Sequence, residues 1–193
     1  MGSMNVEFTN MSEVIAKLNG LKEDSDKVVR ATIRDIGSRA PAWVGQEVSA
    51  VYGIKKAEIK ASGTKESAGS VKVSGTTVDN ITLVYKGRVL TPTHFKMKPK
   101  APTSRKAEVS AEIFKGQRKV LGSNVFLGQS GSGDTPYIPF KRVGASRLPI
   151  ESVKTLSIPQ MIDNEKVNAA IYKRIGEEGI KRLNHQMDRY FKK

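Results

Sequence analysis

The residues that could do chemistry in this chain are few, and their spacing argues against catalysis. The two histidines, His94 and His185, lie far apart, so no H-E-x-x-H or related zinc motif exists. Asp188 follows His185 by about one helical turn, but two groups do not build a zinc site, and the pair reads as a surface contact on a helix. The glycines of Gly128–Gly133 are not followed by the Gly-Lys-Ser/Thr of a phosphate loop, and Ser132 stands where a nucleophile elbow needs its last glycine. Glu177 and Glu178 are adjacent, and adjacent helix residues do not face each other, so they read as solvated charges rather than a general-acid pair. There is no cysteine, which excludes disulfides and thiolate metal sites. The expectation is a non-enzyme with no catalytic, cofactor or metal site.

The remaining candidate chemistry is attraction of negative charge. The net charge is +14, and residues 55–119 hold most of it, with 15 basic and 5 acidic groups. Such a field attracts polyanions or an acidic protein surface, and it also serves plain solubility. The densest stretch is Thr91–Lys106, with Lys96, Lys98, Lys100, Arg105 and Lys106 and with prolines at 92, 99 and 102. Prolines deny ladder hydrogen bonds and favour an extended form, which predicts a basic arm. Alternate residues of an extended chain share a side, so Lys96, Lys98 and Lys100 can follow a row of phosphates. Arg142 and Arg147 flank Val143-Gly144-Ala145-Ser146, where Gly144 would permit a tight reversal and Pro149 fixes the exit. These seven cations are the candidate polyanion or partner contacts; the plainer reading is a set of solvated surface charges.

Positioning them requires a scaffold. Met1–Met4 reads as an expression scar ahead of a single domain over 5–193. Met4–Gly20 holds a short helix candidate capped by Asn10 or Ser12. From Asp24–Asp26 onward Val29, Ile33, Ile36, Ala40, Trp43 or Val44, Val48 and Val51 recur at helical spacing, and Pro41 should kink that helix or begin a new one. Trp43 is expected in the core. Ile54–Lys60 is ambiguous, and Ala61–Gly69 reads as a mobile loop. Strands are predicted at Ser70–Ser74, Asn80–Tyr85, Lys106–Phe114, Arg118–Leu121, Val125–Leu127, Tyr137–Phe140 and Val153–Leu156. The cleanest is the third, where Ala107, Val109, Ala111 and Ile113 alternate with polar residues. Gln129–Pro136 is a second flexible link. After Pro159 a helix capped by Asp163 or Asn164 carries Val167, Ile171, Ile175, Leu183, Met187 and Phe191 on one side. The order implies an α+β fold: a mostly antiparallel sheet covered by N-terminal helices, with a C-terminal amphipathic helix. The strands at Asn80–Tyr85, Lys106–Phe114, Arg118–Leu121 and Val153–Leu156 are expected to share that sheet. No run approaches the roughly 18 apolar residues of a membrane span, and Glu7 and Glu13 interrupt any signal-peptide core.

Several stretches, in order, carry a likeness to a known family. They are Val51-Tyr52-Gly53-Ile54-Lys55-Lys56; Val84-Tyr85-Lys86-Gly87-Arg88-Val89-Leu90 with Phe95 beyond it; Phe114-Lys115-Gly116-Gln117-Arg118-Lys119-Val120-Leu121; and Phe140-Lys141-Arg142-Val143-Gly144 leading to Arg147-Leu148-Pro149-Ile150. With them the chain resembles the prophage minor tail protein Z family of long-tailed phages. That resemblance implies a structural virion protein that completes the tail for head joining or DNA passage. It implies no catalysis, a fold related to small α+β proteins that form rings at tail ends, and a homo-oligomeric ring. The implied partners are other tail or head–tail proteins, with DNA in the tail lumen a further candidate. The implied location is the virion tail, reached from the bacterial host cytoplasm during assembly. It assigns no residue to a partner. From charge alone, a freestanding, sequence-nonspecific nucleic-acid-binding protein is the alternative, although no helix-turn-helix, zinc module or paired-aromatic strand motif is present.

Overall fold

A computed structural model describes residues 2–6, 22–60, 69–77, 80–103, 107–129, 131 and 135–191. The fold is α+β, and among the described residues every strand pairing is antiparallel. Helix α1 runs Lys22–Val51 and contains Pro41 without ending there. The missing proline N–H removes one hydrogen bond, while buried Ile36, Ala40, Trp43, Val44 and Val48 on either side keep one apolar stripe against the core. A short helix α2, Lys56–Lys60, follows. Strands β1 (Gly2–Val6), β2 (Gly69–Thr77) and β3 (Asn80–Gly87) form one sheet in the order β1-β3-β2. The N-terminal helix expected over Met4–Gly20 is therefore a strand as far as Val6, and its remainder lies outside the described residues, as do residues 61–68 of the expected loop.

After a 3₁₀ turn at Pro92–His94, β4 (Ser110–Phe114) and β5 (Gln117–Val120) make a hairpin, and β6 (Val125–Gln129), β7 (Tyr137–Arg142) and β8 (Ile150–Ser152) make a third sheet. The expectation of one shared sheet is thus corrected: β3 and the β4–β5 hairpin belong to different sheets. Val153–Leu156 is not a strand either. It lies beside the end of β3, where the Leu90 N–H donates to the Leu156 carbonyl at 3.2 Å and the Thr155 N–H to the Leu90 carbonyl at 2.7 Å. The physical reason is division of the core. Val28, Ile36, Leu83, Tyr85, Leu90 and Ile171 belong to the main cluster, whereas Met97, Val109 and Ala111 form a second, smaller one that half-buried Ile113 also touches. One-faced alternation specifies a cover, but not which strand is the neighbour.

Helices α3 (Ile158–Ile162) and α4 (Glu165–Phe191) complete the fold. Ser157 and Gln160 close a capping box on α3, which satisfies its first donors. Asp163 ends α3 and accepts the Tyr85 hydroxyl hydrogen bond at 2.6 Å, while Asn164 Oδ1 accepts from the Val167 N–H at 3.5 Å at the start of α4. Helix α4 buries Val167, Ile171, Ile175 and Leu183 as the spacing predicts, and the Arg174–Glu47 ion pair at 2.6 Å ties it to α1. Among the described residues no helix is long and apolar enough to cross a membrane.

Candidate functional site

The site begins where α1 stops. The Gly53 N–H donates to the Ile113 carbonyl and the Lys115 N–H to the Val51 carbonyl, each at 2.9 Å, so the end of α1 is laced to the β4–β5 hairpin. The Tyr52 and Phe114 rings meet with centroids 5.1 Å apart. Gly53 makes this approach possible, because a Cβ there would lie 1.9 Å from the Glu112 carbonyl oxygen. The Gly116 φ of 78° closes the two-residue hairpin turn, a conformation glycine adopts without steric cost.

The chain from Phe95 to Lys100 lies along the other side of β4. It is not the undocked arm the prolines imply. The Phe95 carbonyl accepts from the Glu112 N–H at 2.9 Å, and Lys98 and Ser110 exchange both backbone hydrogen bonds at 2.8 Å. Phe95 and Met97 point inward at 0% and 5% exposure, while Lys96, Lys98 and Lys100 are exposed. The basic alternation therefore does put the three lysines outside, and the interleaved Phe95 and Met97 supply the anchors that proline content obscured. Lys96 has a φ of 45°, a left-handed conformation that costs a non-glycine residue about 1–2 kcal/mol. Its surroundings hold it there. Arg118 Nη1 donates to its carbonyl at 3.1 Å, and its own Nζ donates to Glu112 Oε1 at 2.9 Å. The Lys96 ammonium, helped by the Gly116 N–H, keeps the Glu112 carboxyl below the usual glutamate range.

Together these elements wall a cleft of about 670 Å³ lined by Lys55, Glu58, Thr93, His94, Lys96, Met97, Lys98, Lys100, Arg118, Pro136 and Tyr137, with Gly53 at its edge. Five cations thus face one carboxylate, and that carboxylate, Glu58, is engaged by His94 Nδ1. Lys55, Lys98 and Lys100 make no ion pair among the described residues. Unneutralised cations around a concave, partly apolar surface form an anion-binding arrangement.

The structure divides the predicted contacts. It gathers Lys96, Lys98 and Lys100 in the cleft and adds Lys55 and Arg118, which sequence reasoning missed. Arg118 had a signal, a lone guanidinium two residues past a Gly turn; Lys55 and Tyr137 reach the cleft only through tertiary packing. Arg105 and Lys106 lie outside the described residues. Arg142 and Arg147 are exposed but stand apart: Tyr137 at one end of β7 lines the cleft, and Arg142 ends the same strand, about 17 Å along at the usual rise. Gly144 does not have the positive φ that a glycine-dependent reversal would need; the hairpin instead closes through the Val143 N–H to the Pro149 carbonyl at 3.1 Å. A second basic depression of about 500 Å³ between α1 and α4 holds Arg30, Arg34 and Arg189, but Asp35 lies within it and pairs with Arg39 at 2.9 Å. Among the described residues no three metal-ligating side chains cluster.

No protein-family model matches the sequence, and no curated protein and no solved structure is significantly similar to it.

Proposed function

We propose that this chain is a structural component of a long-tailed phage virion that completes the tail for head joining or DNA passage, working as a homo-oligomeric ring and without catalysis of its own. The observation behind this is where the family-like stretches lie. Val51–Lys56 and Phe114–Leu121 are laced together at the Gly53 junction, and Phe95 docks on the same strand. These stretches thus serve architecture, and the cleft they frame is rimmed mainly by cations, with its one histidine, His94, engaged by Glu58. In this reading the exposed lysines face either DNA in the tail lumen or an acidic face of a neighbouring tail or head–tail protein, and repetition around a ring multiplies each weak contact. The location is the virion tail, with assembly in the host cytoplasm.

The test is complementation of a phage deleted for this protein with the Lys98→Ser/Lys100→Ser variant. Lys96 is left intact because its ion pair with Glu112 belongs to the fold. Thermal stability should be unchanged while infectious titre falls sharply. Wild-type titre with normal tails in electron micrographs would remove the lysines from the function, and failure of the unmutated protein to complement would remove the virion role.

The cleft also favours a second reading, a freestanding, sequence-nonspecific nucleic-acid-binding protein. A salt-titrated DNA-binding assay on the monomer separates the two. The virion component binds weakly and loses its affinity by moderate salt, whereas the freestanding binder retains it.

A further inference from the structure

Lysines on an open face and lysines around an enclosure suit different anions. A duplex is a rigid, wide cylinder that lays its phosphates across a broad surface and does not enter a small cleft. A single strand bends into a cleft and presents a base as well as a phosphate. Here the cations rim a cleft of about 670 Å³, within the ~300–1,000 Å³ range of sites that enclose a small ligand. Its wall includes the half-buried Tyr137 at the start of β7, and Met97, at 5% exposure, forms part of the floor. An aromatic ring and a thioether between cations provide what a base and its phosphate need together: a flat apolar contact and neutralising charge.

We infer that this cleft holds a short segment of single-stranded nucleic acid, with a base against Tyr137 and Met97 and its flanking phosphates on Lys55, Lys98 and Lys100. This deepens the second, nucleic-acid-binding reading of the same lysines and rests on it. Arg118 contributes orientation. Its Nη1 is committed to the Lys96 carbonyl at 3.1 Å and to Ser110 Oγ at 3.4 Å, which fixes the guanidinium plane at the edge of the cleft. Nothing in the arrangement reads base identity, since stacking accepts any base.

The experiment uses the full chain and a fluorescein-labelled oligo(dT) of about ten nucleotides, within the range of sites that track one strand, followed by fluorescence anisotropy at several salt concentrations. Unlabelled duplex of equal length and polyglutamate serve as competitors, and labelled forms of both are also titrated directly. Three phosphate contacts predict a slope of log K against log salt of about −2, from about 0.7 per contact on a single strand. Tyr137→Leu keeps the apolar bulk and removes the ring face; it should weaken oligo(dT) binding by about tenfold, while Tyr137→Phe should match the unmutated protein. Lys98→Ser/Lys100→Ser should flatten the salt slope to less than half. Thermal melts confirm that each variant is folded. Binding untouched by Tyr137→Leu, or displaced equally well per charge by duplex and polyglutamate, overturns the single-strand assignment while leaving the polyanion role of the lysines standing. Absence of binding to all three polyanions at low salt overturns both.

Discussion

Replacing Gly53 by alanine tests the junction on which the cleft depends. The added Cβ would sit 1.9 Å from the Glu112 carbonyl oxygen, against a practical minimum of 3.0 Å, and the opposing atom is backbone rather than a flexible side-chain end. Relief by separation alone would take about 1.1 Å between α1's exit and β4. The same movement stretches the Gly53–Ile113 hydrogen bond from 2.9 Å to about 4 Å, past the limit for a real bond. Overpacking costs about 1–3 kcal/mol and the lost buried bond adds about 1 kcal/mol, so the variant should lose about 2–4 kcal/mol. For a chain of this size that corresponds to a Tm lower by about 5–15 °C. The assay is a thermal melt followed by circular dichroism, with Gly144→Ala as the control. A Cβ at Gly144 meets nothing within 4 Å and its φ is not positive, so that melt should stay within about 2 °C of the unmutated protein, the effect of about 0.5 kcal/mol. If Gly53→Ala melts with the control, the lacing of α1 to the hairpin does not hold as described.

Three further outcomes are expected. Val109, at 2% exposure in the small cluster, should lose about 4 kcal/mol on change to Asp, whereas half-buried Ile113→Asp should lose about half as much, both read from urea unfolding. Glu112 has a folded pKa below its ordinary 4.5, so its ionised form adds stability above that pH, and this is lost as the pH falls through the folded value. Glu112→Gln should therefore melt lower than the unmutated protein at pH 7, with the two curves converging once the pH has fallen through the lowered folded pKa. Lys96→Gly should raise Tm or leave it level, because relief of the left-handed backbone, about 1–2 kcal/mol, outweighs an exposed ion pair of about 0–1 kcal/mol; a fall of several degrees would show that the pair dominates.

What was legible in the sequence was whatever repeats at a fixed period over a long run. The helical stripe from Val29 to Val51 and the one from Val167 to Phe191 are α1 and α4, while of the alternation over Lys106–Phe114 only Ser110–Phe114 is strand, with Val109 buried just ahead of it and Ala107 exposed. Sheet membership was not legible. Alternation says that Val109 and Ala111 need a cover but not that Met97 supplies it, and a run as short as Val153–Leu156 pairs with whatever backbone lies opposite, here Pro139 at Val153 and Leu90 at Thr155 and Leu156. The basic segment shows the same limit from the other side. Its lysine spacing reported the exposed face correctly, while its prolines pointed to an undocked arm. Proline forbids only its own N–H, and Lys98, between Pro92 and Pro99, retains both ladder bonds to Ser110.

The left-handed Lys96 connects these observations. A residue held at φ 45° against its own preference persists only where neighbours over-determine it. Those neighbours are Glu112 in β4, Arg118 in β5 and the Phe95 anchor, and two residues on Lys98 is held to Ser110 of the same β4. A segment kept basic for solubility alone needs no such fixing, since solvated lysines work equally well in any backbone conformation. Fixing does matter when cations must meet anions at set spacings, because charges ordered before binding lose less freedom on binding. The strain at Lys96 therefore argues, independently of net charge, that the geometry of this lysine row is under constraint.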